Sequence, residues 1–492
     1  MSGSVHDQTL ALVRVVRSQL ASRPDVADLD AIEARLTGPL RVAIAGRVKA
    51  GKSTLLNALV GARLAPTDAG ECTKIVSQYR QGPLYQVDAE LQAGGRQQLR
   101  FTREENALDV QLGGLHEDDV RYLDIQWPTS KLERVTLIDT PGLESLNDEN
   151  SRRTRDFLEQ DEMRTTEVDA VIYLMRHLHT TDVAFLDAYM DRSVPESSPV
   201  NAVAVLSRAD EVGAGRLDAM ESARKIAERY RTNDQVRGLA STVVPLAGLL
   251  AETGLTLREE EAASLRSIAS MPDADRQTLL LSVGHFVDVS ASDLTAEIRT
   301  ELLGRFGLFG VRLAVEAIRD GATTASDLAP ILTEASGLRE LEALLQRRFL
   351  PRARVLQSRT ALGAVRGIAK RVQPDLPEVA ASIEREIERI EATTVEFAQM
   401  RAAHLLASGI VTPRAGAADD LDDLLLFSPA PRALGLPDDA APHAVMAAAG
   451  EAIGRWRTLA NDTLVSPSDA EVYEAAARTA ETMYLAAQQA AG

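Results

Sequence analysis

Residues 46–53 read Gly-Arg-Val-Lys-Ala-Gly-Lys-Ser and fit the pattern G-x-x-x-x-G-K-[ST]. Residues of these types at this spacing can hold the phosphates of a nucleotide. Gly46 and Gly51 let the backbone wrap close to an anion. The N–H groups of Arg47, Val48, Lys49, Ala50 and the helix opening at Ser53-Thr54 then point at the phosphates, helped by the helix dipole. Lys52 carries the charge to neutralise β- and γ-phosphates, and the Ser53 hydroxyl is a ligand for Mg²⁺. A second group is Asp139-Thr140-Pro141-Gly142, after the apolar run Val135–Ile138. Its carboxylate can reach Mg²⁺ through water, and the Gly142 N–H can touch the γ-phosphate and register its loss. Thr73, in the stretch TDAGECTK before Ile75–Arg80, can ligate Mg²⁺ and hold an attacking water through its carbonyl. Cys72 beside it has no base placed near it by the sequence and receives no catalytic role.

These groups need a frame to bring them together. Strand-like runs at Arg41–Ala45, Ile75–Arg80, Val135–Asp139, Ala170–Met175, Ala202–Leu206 and Thr242–Leu246 are interspersed with helix-like segments such as Leu55–Val60, Asp182–Met190 and Leu217–Tyr230. That alternation predicts an α/β domain with a mostly parallel sheet and helices on both faces. Before it, Leu12, Val16 and Leu20 share one helical face. After about Gly248 strand signals nearly vanish. Leu338, Leu341, Leu345 and Phe349, then Val379, Ile383, Ile387, Ile390 and Phe397, step by helical spacing. Asp375 with Glu378, and Ser468 with Glu471, look like helix caps. The expected layout is an N-terminal helix over 1–37, a phosphate-binding α/β domain over 38–349, and an extended all-helical neck or stalk over 350–492. Residues 409–442, with five prolines and the run DDLDDLLLF (419–427), read as its loop or tip.

The chain has 492 residues, 54 basic and 72 acidic, and a net charge of −18. That balance excludes nucleic-acid binding by bulk charge and disfavours simple adhesion to anionic lipid. One cysteine permits no internal disulfide and fits a reducing compartment. No secretory leader pattern and no stretch of about 18 uncharged apolar residues is seen, so a cytoplasmic location, with peripheral contact at the inner face of the plasma membrane, is expected.

The motifs GRVKAGKST (46–54), APTDAGECTK (65–74), DTPGLES (139–145) and LSRADE (206–211) together resemble the dynamin superfamily of large GTPases. The chain is most similar to bacterial dynamin-like proteins of the isoniazid-inducible kind found in mycobacteria. The helical stretches RFGLFGVRLAVEAI and SGLRELEALLQRRFLPRA are family-like as well. The resemblance implies a GTP/GDP site with Mg²⁺, a helical neck built from both chain ends, nucleotide-driven head-to-head dimerisation and action on membranes, with a second dynamin-like subunit as a further partner. It also implies that Ser207-Arg208-Ala209-Asp210 stands where such proteins carry N/T-K-x-D. Asp210 keeps the carboxylate that takes the guanine N–H groups, Ser207 is a smaller hydroxyl, and Arg208 lays a flat cation along the base in place of Lys. A backbone N–H in Val244–Gly248 would meet guanine O6. Lys49 replaces the usual dynamin Ser, and relatives with Arg there use it as an internal finger; a solvated loop lysine is the other reading.

Between Glu342 and Asp375 lie eight basic residues and no acidic one: Arg347, Arg348, Arg352, Arg354, Arg359, Arg366, Lys370 and Arg371. They could face anionic lipid or serve as a bed for acidic stalk segments. Leu424, Leu425, Leu426 and Phe427 could insert shallowly, although Asp419, Asp420, Asp422 and Asp423 repel anionic headgroups. The expected activity is therefore GTP hydrolysis coupled to self-association and membrane remodelling. A slow GTP-dependent switch or scaffold is the alternative. An ATPase is opposed by Ser207–Asp210, and a ribosome-assembly GTPase by the charge.

Overall fold

The computed structural model describes residues 4–65, 75–104, 107–141, 168–177, 201–237, 240–288, 294–413, 417–426 and 428–491. Among these residues the strands are β1 (Leu40–Gly46), β2 (Ser77–Gln81), β3 (Gln86–Leu91), β4 (Arg96–Gln98), β5 (Arg100–Glu104), β6 (Ala107–Gln111), β7 (Val120–Trp127), β8 (Val135–Asp139), β9 (Ala170–Met175), β10 (Ala202–Ser207) and β11 (Val243–Leu246). Nine of them form one sheet in the order β11-β10-β9-β1-β8-β2-β7-β3-β4, and β5 and β6 form a separate ribbon. From β11 to β8 all neighbours run parallel, while β2 turns antiparallel to β8. β9 and β10 are buried along their whole length, as a sheet covered on both faces requires. The parallel run places Gly46, Asp139, Ser207 and Leu246 at the carboxyl ends of their strands, where ligands of such sheets bind. The extension β3–β4–β7 goes beyond the predicted strands; its polar, alternating residues gave no apolar run to read.

Among the described residues, the helices over six residues long are α1 (Val5–Gln19), α2 (Val26–Thr37), α3 (Lys52–Val60), α4 (Ala219–Arg231), α5 (Gly248–Leu255), α6 (Glu259–Ala269), α7 (Asp273–Leu279), α8 (Ala296–Arg319), α9 (Ala325–Ala335), α10 (Leu338–Leu344), α11 (Ala353–Val372), α12 (Pro377–Thr393), α13 (Val395–Ala407), α14 (Ala418–Leu425), α15 (Pro442–Ala460) and α16 (Pro467–Ala491). The N-terminal segment is two helices rather than one, and both pack on α11. The helix expected from Val379 through Phe397 is also two, interrupted at Thr394 with φ −80° and ψ 134°. Asp375 does not cap it; Leu376 stands at that position, and Asp375 pairs with Arg23 instead. The last helix is capped by Ser466 and Asp469 rather than Ser468 and Glu471, with the Asp469 N–H donating to Ser466 Oγ at 3.1 Å.

The basic run is largely consumed inside the molecule. Arg354 donates to the Leu36 carbonyl at 2.6 Å. Arg366 pairs with Glu384 and Glu391, Arg371 with Asp25 and Asp28, and Arg348 with Asp422. Arg352 is 1% exposed, and burial, then Arg348 nearby, pulls its guanidinium down to about 9. Three of the eight, Arg348, Arg366 and Arg371, thus serve as a bed for acidic segments.

The lipid-facing reading of Leu424 and Leu425 is also corrected. Residues 418–425 form α14, and Leu421, Leu424 and Leu425 are buried, so these leucines fill a core instead of offering themselves to lipid. Phe427 lies outside the described residues. Leu424→Ala is expected to cost about 2–5 kcal/mol of stability, read as a lowered melting temperature, with liposome co-sedimentation unaltered. Lost co-sedimentation at an unchanged melting temperature contradicts this packing role.

Candidate functional site: a nucleotide cleft at the sheet edge

β1 runs into a loop shaped for close backbone approach. Gly46 has φ 147°, and a side chain there would strike the Leu174 carbonyl of β9. Gly51 has φ 95° and opens α3. Between them Arg47, Val48 and Lys49 are exposed. Lys49 holds φ 61°, a left-handed conformation that non-glycine residues seldom adopt. Its carbonyl accepts from Arg208 Nη2 at 3.1 Å, which ties the phosphate loop to the segment after β10.

Lys52 is 9% exposed. Its Nζ donates to the carbonyls of Gly46 at 3.2 Å and Arg47 at 3.3 Å. Burial lowers its pKa, opposed by Asp139. Ser53 Oγ donates to Asp139 Oδ2 at 2.9 Å. The sheet makes this meeting possible, since β1 and β8 are neighbours with Ile44 opposite Asp139. Asp139 is half-buried as a residue, yet its Oδ1 is sealed from solvent with no hydrogen-bond partner among the described residues. Burial raises its pKa, opposed by Lys52, then by the Ser53 hydroxyl and the Thr140 N–H. An orphaned carboxylate oxygen beside a serine hydroxyl is a hard-oxygen donor set of the kind Mg²⁺ takes, so the residues fit that ion. Thr73 and Gly142 lie outside the described residues, as do Cys72 and 182–190.

The second half of the cleft is a cavity of about 160 Å³ lined by Ala50, Gly51 and Thr54 on one side, Ser207, Arg208, Asp210 and Glu211 on another, and Leu174, Leu246, Gly248 and Leu249 between them. Arg208 adopts φ 53° and pairs with Glu211 at 2.8 Å. Ser207 Oγ donates to the Met175 carbonyl at 3.3 Å, so its hydroxyl holds the strand end. Asp210 is 8% exposed. Burial lifts its carboxyl to about 6, Glu211 adds to the rise, and Arg208 opposes it. The cavity thus offers apolar walls, a cationic plane paired with Glu211 and the buried carboxylate of Asp210, which suits a planar base carrying adjacent N–H donors. Leu246 and Gly248 fall in the segment Val244–Gly248 expected beside guanine O6, whereas Glu211, although it stands within LSRADE, and the apolar lining residues Leu174 and Leu249 carry no local chemical signal in the sequence.

Ionisation of Asp210 sets the sign of a pH effect. A base donating two N–H groups binds the carboxylate and is rejected by the acid. Affinity for a guanine nucleotide is expected to be full above about pH 7. It should fall as pH drops through about 6, by up to tenfold per unit. Without ligand, the raised pKa acts oppositely: the group favours unfolding as pH rises from its ordinary carboxylate range through about 6. Titrating GDP affinity in the native chain and in Asp210→Asn separates this effect from ionisation of the phosphates. Identical pH profiles in the two contradict it.

A sequence model described as the dynamin family matches residues 42–196. The isoniazid-induced protein IniC of Mycobacterium tuberculosis is 38% identical over 469 residues, covering 94% of this chain and 93% of its own. A bacterial dynamin-like protein of Nostoc punctiforme is 30% identical over 146 residues, 27% of this chain and 21% of its own. A solved structure of an oligomerised bacterial dynamin pair aligns over 99% of this chain and 74% of its own at 14% identity, with a loose TM-score of 0.29.

Proposed function

Because the chain belongs to the dynamin family, as a bacterial dynamin-like GTPase, we propose that it hydrolyses GTP to GDP and phosphate with Mg²⁺ and couples turnover to self-association and membrane remodelling or maintenance. The observation that carries the site assignment is the meeting of Lys52, Ser53 and the orphaned Asp139 oxygen at the mouth of β1 and β8. Lys52 would leave the loop carbonyls for the β- and γ-phosphates. Ser53 directly, and Asp139 through water, would hold Mg²⁺, which when bound draws charge from the phosphates. The backbone of Gly46, Arg47, Val48, Ala50, Gly51 and Thr54 would cradle the phosphates. Thr73 would complete the metal shell and orient the attacking water, and Gly142 would register the γ-phosphate. Asp210, flanked by Ser207 and Arg208, would select guanine. The proposed units are 1–37 and 350–492 as helical neck and 38–349 as GTPase domain.

Lys49 is proposed as an internal cation. Its backbone is held by Arg208 and its side chain reaches solvent beside the loop. Turnover is then expected to be equal in K⁺ and Na⁺; a strong K⁺ requirement contradicts this role.

A second reading is favoured by one observation, the internal use of the basic run and of Leu424 and Leu425. In that reading the chain is a slow switch or scaffold, and a second dynamin-like subunit makes the lipid contact. The deciding experiment follows GTP hydrolysis against protein concentration, with and without anionic liposomes. A specific rate that climbs with both supports the mechanoenzyme working at a membrane. A flat, liposome-independent rate supports the switch.

A further inference from the structure

Helix α8 is broken within its length. Gly307 has φ 61° and ψ 171°, a conformation essentially confined to glycine. The break is held from α5, the helix whose first residues line the base cavity. Thr253 donates its hydroxyl to the Arg305 carbonyl, the acceptor that an unbroken helix gives to the Phe309 N–H. A side chain at Gly310 would stand 2.7 Å from Leu250 Cδ1, so the helices touch closely just past the break. Arg312 then donates to the carbonyls of Ala214 at 3.1 Å and Gly215 at 2.6 Å, and to those of Leu280 and Leu281. That clamp ties α8 to the turn following Asp210. At the break itself, a Cβ on Gly307 would lie 3.2 Å from Asp210 Oδ2. Gly307 sits behind the carboxylate rather than among the residues facing the cavity.

We propose that the Gly307 break in α8 is a backstop that fixes the Asp210 carboxylate in the base cavity, which makes Gly307 a positioning residue for guanine selection. The proposal rests on Asp210 as the guanine reader. A methyl group at 307 both disfavours the local backbone and presses on Oδ2. A carboxylate moved by a few tenths of an ångström no longer meets two base N–H groups at the short distances that charge-assisted bonds require.

The test measures binding of GDP and of inorganic pyrophosphate to the full chain with Mg²⁺, in the native protein, Gly307→Ala, Asp210→Asn and the double variant. Gly307→Ala is expected to weaken GDP binding about tenfold, part of what a charge-assisted pair supplies. Pyrophosphate binding should be unchanged, because the phosphate loop is untouched. In the Asp210→Asn background, Gly307→Ala should change GDP binding by less than about twofold, since the contact it perturbs is already gone. An equal GDP loss in both backgrounds, or a parallel loss of pyrophosphate, overturns the proposal. If Asp210→Asn alone leaves GDP binding intact, Asp210 is not the guanine reader and the proposal falls with it. Should Gly307→Ala not fold, Thr253→Val releases the Arg305 carbonyl without adding bulk. It is expected to weaken GDP about threefold to tenfold with pyrophosphate unaffected; unchanged GDP binding in that variant overturns the proposal.

Discussion

Lys52→Ala is expected to lower kcat/KM for GTP by at least about 10²–10³-fold, the effect of removing one positioned donor from a developing charge. The variant should nevertheless keep its fold. Lys52 is held by two loop carbonyls at 3.2 and 3.3 Å, and burial works against its charge. Asp139, already shifted upward by its own burial, can take a proton when the lysine is removed, so no unpaired charge is left behind. The melting temperature without ligand should stay within a few degrees of the native chain. The rise that GDP brings to the native chain, about 2.7 kcal/mol at a hundredfold excess over Kd, should disappear. Thermal melts with and without GDP, beside phosphate release, check both halves. A variant that melts far below the native chain would make Lys52 a structural residue, and one that retains full turnover would move the phosphates elsewhere.

The second large effect is on base choice. Guanine presents N1–H and N2–H donors, whereas xanthine replaces the amine with a carbonyl. An asparagine at 210 offers one acceptor and one donor, which suits xanthine and wastes a guanine donor. Asp210→Asn is therefore expected to weaken GTP about 100-fold, the scale of two lost charge-assisted bonds at the lower end of their range. Xanthosine triphosphate should gain by comparable measure. Burial makes the change sharp, since Asp210 is 8% exposed and water cannot fill in for a missing partner. Competition binding measures it; an unchanged ratio of the two nucleotides would place the base outside the cavity of Ser207–Glu211.

The central strands were legible because each is a short apolar run ending in a residue of special type. Val135–Asp139 and Ala170–Met175 have the bounds read from sequence. The phosphate loop was legible from the spacing of its glycines, both of which hold positive φ, with Gly46 also close against Leu174. Burial was not legible. The charges of Arg348, Arg366 and Arg371 look like an exposed patch until α12, α14 and α2 with its preceding Asp25 bring acids to them. Leu424 and Leu425 sit in an acidic, proline-flanked stretch that reads as a loop, and only packing near α13 and α16 shows why that stretch is helical. The Gly307 break escaped notice because helical periodicity runs on through RFGLFG, while its cause lies in Thr253 of another helix. The pairing of Ser53 with Asp139 required strand order, since the two are distant in sequence and meet only because β1 and β8 are neighbours.

The most direct measurement is phosphate release from GTP by the full chain, with Mg²⁺ present or chelated and with ATP in large excess as competitor, beside Asp139→Asn. A cleft in which Ser53 and Asp139 hold Mg²⁺ and Asp210 selects the base predicts turnover that stops on chelation, ignores ATP and falls at least about 100-fold in Asp139→Asn. Turnover that survives chelation, yields to ATP or persists in Asp139→Asn contradicts it.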